Sequence, residues 1–111
     1  MQKIEFLVKG SASEPYRVTI ENRNNSVAAY CTCAAAENGT FCKHRVRILQ
    51  GSEEGIVSGN TKDIQVAMNW LKGSELEKVI LSIETKEKEL EATKKVIQDL
   101  KKKLSRLLIA A

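Results

Sequence analysis

The stretch CTCAAAENGTFCKH, residues 31–44, holds every cysteine and the only histidine of a 111-residue chain. Any fold must give those four side chains a common place. In an extended strand residues i and i+2 face the same side, so Cys31 and Cys33 aim two sulfurs at one point. Asn38-Gly39, a strong turn signal in the eight residues before Cys42, lets the chain fold Cys42 and His44 back opposite that pair. Zn²⁺ prefers four sulfur and nitrogen donors in a tetrahedron, and three cysteines with one histidine are an established structural set. Two residues turn a helix by about 200°, so Cys42 and His44 cannot both point one way from inside it. Cys42 therefore belongs to the turn before a helix. A Cys31–Cys33 disulfide would leave Cys42 and His44 without a role, and cysteines packed as apolar core leave the histidine unexplained. A redox thiol pair is the remaining alternative.

The rest of the chain arranges itself around this cluster. Ile4, Phe6 and Val8 alternate with Glu5, Leu7 and Lys9, and Tyr16, Val18 and Ile20 alternate with Arg17, Thr19 and Glu21, the period of half-buried strands. Gly10–Pro15 separates the two runs as a turn-rich connection. Asn22-Arg23-Asn24-Asn25 marks a second reversal, because asparagine tolerates left-handed conformations. A third strand over Ser26–Cys33 then delivers the chain to the cluster. The fold class expected is α+β: a small antiparallel β-meander with a Cys₃His zinc site and a short helix carrying Val46, Ile48 and Leu49. A loop over 51–60 and a second short helix follow, the latter capped by Thr61 and buried through Ile64, Ala67, Met68 and Leu71, with Trp70 alongside.

Gly73 interrupts that pattern, and Ser74-Glu75-Leu76-Glu77 restarts it with the spacing of a capping box. From there a heptad runs to Leu107. One column holds Leu76, Ile83, Leu90, Ile97 and Leu104; the other holds Val79, Lys86, Thr93, Leu100 and Leu107, polar at its middle. Glu84–Lys88, Glu91–Lys95 and Asp99–Lys103 are spaced for favourable i, i+4 pairs. At ~1.5 Å per residue this helix spans about 50 Å, too long for its stripe to be covered by so small a sheet. A partner is expected, most simply a second copy, with Leu76, Val79, Ile83, Leu90, Ile97, Leu100, Leu104 and Leu107 as the dimer interface. Whether the coil is parallel, with Glu89 meeting Lys94, or antiparallel is open at this level. The expected organisation is a zinc-binding domain over 1–50, a loop and short helix over 51–73, and the long helix over 74–111.

C-x-C-x8-C-x-H, with "FLVKGSASEPYRVTI" before it and "FCKHRVRIL" at its end, resembles the SWIM zinc-binding domain over residues 4–50. The chain departs from that pattern at Ala34, where the family often has proline. The resemblance implies Cys31, Cys33, Cys42 and His44 as ligands and DNA or protein as partner. Residues 61–111 lie outside it.

Composition bounds the function. Three cysteines suit a reducing compartment better than a disulfide framework, and the longest apolar run near the start, Phe6-Leu7-Val8, suits neither a signal peptide nor a span. The expectation is a cytoplasmic protein with no membrane contact. With all four zinc positions filled by side chains, the metal is structural. The only histidine is engaged there, no Gly-rich phosphate loop occurs, and Glu53-Glu54 read as solvated carboxylates, so no enzyme is expected. The net charge of +4 is weighted to the C-terminal half, where residues 61–111 carry eleven Lys/Arg against eight acids. Lys43, Arg45 and Arg47 beside the ligands, with Arg17 or Arg23 from the sheet, could present a basic edge to DNA or another nucleic acid. They could equally balance the −1 left by three thiolates and Zn²⁺. Lys101–Lys103 and Arg106 read as a solvated face suited to the helix dipole. The alternative function is a protein–protein assembly module with no nucleic-acid binding.

Overall fold

The computed structural model describes residues 1–110. Three strands, β1 (Gln2–Val8), β2 (Tyr16–Arg23) and β3 (Ser26–Cys31), form one antiparallel sheet in the order β1-β2-β3. Four helices follow: α1 (Ala34–Glu37), α2 (Lys43–Leu49), α3 (Asp63–Leu71) and α4 (Glu75–Ala110). The class is α+β, as the sequence pattern implies.

Register decides what the sheet buries. Phe6 lies opposite Val18, and Val18 opposite Cys31; Ile4 lies opposite Ile20, and Ile20 opposite Ala29. The period of two puts Phe6, Val8, Val18 and Ile20 on one buried face, and the same register carries Cys31 there. Asn24 and Asn25 both take positive φ, the geometry of the tight hairpin turn that joins Arg23 to its partner Ser26. Ile48 and Leu49 of α2 and Ile64, Ala67 and Leu71 of α3 are also buried.

Several local expectations are revised. The third strand ends at Cys31 instead of Cys33, and the chain before Asn38-Gly39 winds into α1, a single helical turn that begins after Cys33. The run at 51–60 is a loop, as expected, but one that pairs with β1. Ile56 bridges to Val8, Lys9 N–H donates to the Gly55 carbonyl at 2.8 Å, and Val57 N–H donates to that of Leu7 at 2.8 Å, covering the C-terminal end of the outer edge of β1. Thr61 does not cap α3. Lys62 is already in the helical region, and the Asp63 and Ile64 N–H groups bond to the Asn60 and Thr61 carbonyls. At the start of α4 the Ser74 hydroxyl accepts from Glu77 N–H at 3.1 Å, but the Glu77 carboxylate takes Gly73 N–H at 3.1 Å instead of that of Ser74. Ser74 N–H is already given to Leu71. Among the described residues, Lys86–Glu89 at 3.2 Å and Lys94–Glu91 at 3.5 Å pair at i, i+3 on α4, the spacing that the expected i, i+4 set did not include.

Contacts divide the chain after Lys78. Residues 51–73 therefore fold in the same unit as the cysteine cluster, and a second unit starting at Val79 consists of the remainder of α4. Among the described residues no helix is long and apolar enough to cross a membrane.

Candidate metal centre

Each of the four clustered side chains is delivered by a different local device. Cys31 ends β3 on its buried face, and Cys33, extended at φ −70 and ψ 158, directly precedes α1. Thr32 between them is held outward by two bonds to Arg17: its N–H donates to the Arg17 carbonyl at 3.1 Å, and its hydroxyl accepts Arg17 N–H at 3.0 Å. Cys42 is the extended residue at the head of α2, and His44 lies in that helix's first turn. This is the division of labour that the 200° argument requires.

The donor atoms all lie within 4.8 Å of one another. Cys33 Sγ is 3.4 Å from Cys42 Sγ, and His44 Nδ1 is 3.6 Å from Cys42 Sγ and 3.8 Å from Cys31 Sγ. A tetrahedron with Zn–S of ~2.3 Å and Zn–N of ~2.0–2.1 Å has edges of about 3.5–3.8 Å. The three sulfurs are free thiols and buried, so no disulfide competes for them. The set fits zinc in donor type, number and spacing.

Burial and neighbouring groups shift three of these side chains. Burial pushes the Cys31 thiol up to about 12, because an isolated thiolate is poorly solvated there. At Cys42 burial acts the same way, but the Arg45 N–H, the Cys33 and Cys31 thiols and the His44 N–H outweigh it and hold the group below its ordinary value. His44 is lowered by burial and then by the charges of Lys43 and Arg47, which favours the neutral imidazole that a metal needs.

Around the ligands the structure redistributes the expected cations. Arg45 is not available as a phosphate contact: its guanidinium donates to the Ala29 carbonyl on β3 and to the Thr40 carbonyl before Cys42, both at 3.1 Å. It fastens the loop that carries the ligands. Arg23 is engaged with Glu21. Lys43 and Arg47 remain exposed, one helical turn apart, and with Lys9, Ser11, Glu54 and His44 they line a pocket of about 270 Å³. Lys9 was absent from the sequence-derived set; the β1–β2 register and the pairing of its N–H with Gly55 together place it there.

The histidine is positioned from the other side by Tyr16, whose ring centroid lies 4.9 Å from that of His44 at an angle of 43°. Gly10 makes room for this: a Cβ there would stand 2.2 Å from Tyr16 Cε2 and 3.4 Å from His44 Nε2. Gly10→Ala is expected to push the tyrosine ring against its neighbour and lower zinc affinity about tenfold, in line with other changes to groups that orient a metal ligand. Chelator competition measures it; unchanged affinity would show that Tyr16 can move aside without disturbing His44.

Residues 16–50 match the family model of the SWIM zinc finger. The match contains all four clustered side chains and identifies the metal as zinc, while β1, which pairs along β2, lies outside it. No curated protein and no solved structure matches the chain.

Proposed function

We propose that this protein is a dimeric interaction module, in which zinc closes a small binding head and α4 pairs with a second copy. The zinc finger supplies the head. The observation that carries the rest is the state of the heptad columns on α4: Leu90, Ile97, Leu100, Leu104 and Leu107 are 46–61% exposed. Helices keep so regular an apolar seam open only at a cost, and pairing removes it from water. Light scattering at tens of micromolar is expected to give twice the 12.4 kDa chain mass. Ile97→Lys should return the protein to a monomer with its zinc content unchanged. A monomeric parent protein would remove the homodimer.

Lys9, Lys43 and Arg47, gathered around one pocket, favour phosphate-bearing partners for the head, with nucleic acid as the substrate class. A pair of heads would bind a polyanion more tightly than one through avidity. Three phosphate contacts per head would give a slope of about −2.7 in log K against log salt on duplex DNA. Binding that ignores salt would favour the protein-partner reading instead. Because side chains fill every zinc position, the metal's part in either reading is to hold the head folded, and no catalytic step is assigned to it.

A further inference from the structure

The charges on α4 are sorted by position. Its first half, residues 75–92, carries six acids against three lysines, and residues 93–110 carry one acid against six cations. Two such helices side by side in parallel set like halves against like. Reversed, they set opposite halves together. From this and the exposed seam we infer that α4 pairs with a second copy of itself in an antiparallel coil; the inference rests on the dimer reading above.

One register satisfies both columns. In an antiparallel coil each residue of one column faces one of the other, so Ile83 can lie opposite Leu107, Leu90 opposite Leu100, and Ile97 opposite Thr93. Lys86 then faces Leu104, where its stem can lie along the leucine while its ammonium, already paired with Glu89, reaches water. A parallel coil would instead set Lys86 against Lys86 of the second copy. Flanking positions agree with the reversed arrangement. Glu89 falls beside Lys103 of the second copy and Glu87 beside Lys101, each occurring twice by symmetry. The like-charged contact is Lys94 with its own symmetry mate, and Glu91, 3.5 Å from Lys94, offsets it. Sliding one heptad in either direction breaks these pairs: one slip leaves only Glu87 beside Lys94, and the other sets Lys94 beside Lys101. The chosen register also seats Leu100, Leu104 and Leu107 of the second copy along the apolar groove formed by Val79, Ile83 and Leu90.

The test is disulfide trapping in the zinc-loaded full chain, with light scattering alongside. Leu90→Cys and Leu100→Cys are made singly and together and oxidised with oxidised glutathione, the parent protein serving as control for its own cysteines. The antiparallel coil predicts a covalent dimer from the double variant and none from either single variant. Single variants that cross-link efficiently would show a parallel coil and overturn the orientation while leaving the dimer intact. A dimer that never cross-links would overturn the register. A monomeric parent protein would overturn this inference together with the reading beneath it.

Discussion

Cys42→Ser is expected to abolish zinc binding and unfold the sheet and α2 while α4 stays helical. The reason lies in how little else holds the head closed. Its core is Phe6, Val8, Val18, Ile20 and a few residues of α2 and α3, with three buried cysteines among them. Structural zinc contributes an apparent ~10–16 kcal/mol in small zinc domains, comparable to the whole net stability of a domain at about 5–15 kcal/mol. Without the metal the loop from Cys33 to Cys42 has no anchor at its centre. Chelation of the parent protein should reproduce the variant. The measurement is near-ultraviolet circular dichroism for Trp70 and the tyrosines, set against the helical signal at 222 nm. A folded head in the absence of metal would refute the coupling, and parallel loss of both signals would show that α4 depends on the head.

Phe6→Ala should be the most damaging change away from the metal. The ring is fully buried, directly across from Val18, which itself lies across from Cys31. Deleting a buried phenylalanine side chain costs about 3–5 kcal/mol, combining lost transfer energy with the cavity left behind. Folding and zinc binding are linked here, so the loss should appear twice: as a lower melting temperature and as weaker retention of zinc under chelator competition. Leu7→Ala on the opposite face, where the side chain is 37% exposed, is the control and should change stability little. Equal effects from the two would mean that the faces are assigned incorrectly.

How much of this was legible in the sequence depended on range. Strand alternation, the Asn24-Asn25 turn and the placement of Cys42 ahead of a helix are set by neighbouring residues, and they stand in the fold as the pattern implies. The ligand cluster was legible for the same reason, since its four members fall in one short window. What escaped was set by residues far apart in the chain. Nothing near Arg45 announces that its guanidinium will reach the Ala29 carbonyl, and nothing in residues 51–60 alternates to signal pairing with β1. Lys9 reaches the pocket through that pairing together with the β1–β2 register. The single turn of α1 was hidden by its brevity: Ala34-Ala35-Ala36-Glu37 has good helix propensity, but so short a segment forms only where its surroundings hold it. On α4 the spacing of opposite charges allowed both i, i+3 and i, i+4 partners, and propensity alone did not choose between them.

A three-stranded sheet has two outer strands, and each is a template on which a foreign chain can add itself by backbone hydrogen bonding. Here the C-terminal end of β1 is shielded by the 55–57 segment, whereas on β3 the guanidinium of Arg45 occupies the Ala29 carbonyl. Arg45 sits on the same short helix as His44 and one residue from it. Loss of the metal is therefore expected to do more than loosen the head: release of α2 should free the Ala29 carbonyl for strand addition along β3. By this geometry zinc binding is expected to protect a sheet edge as well as the core.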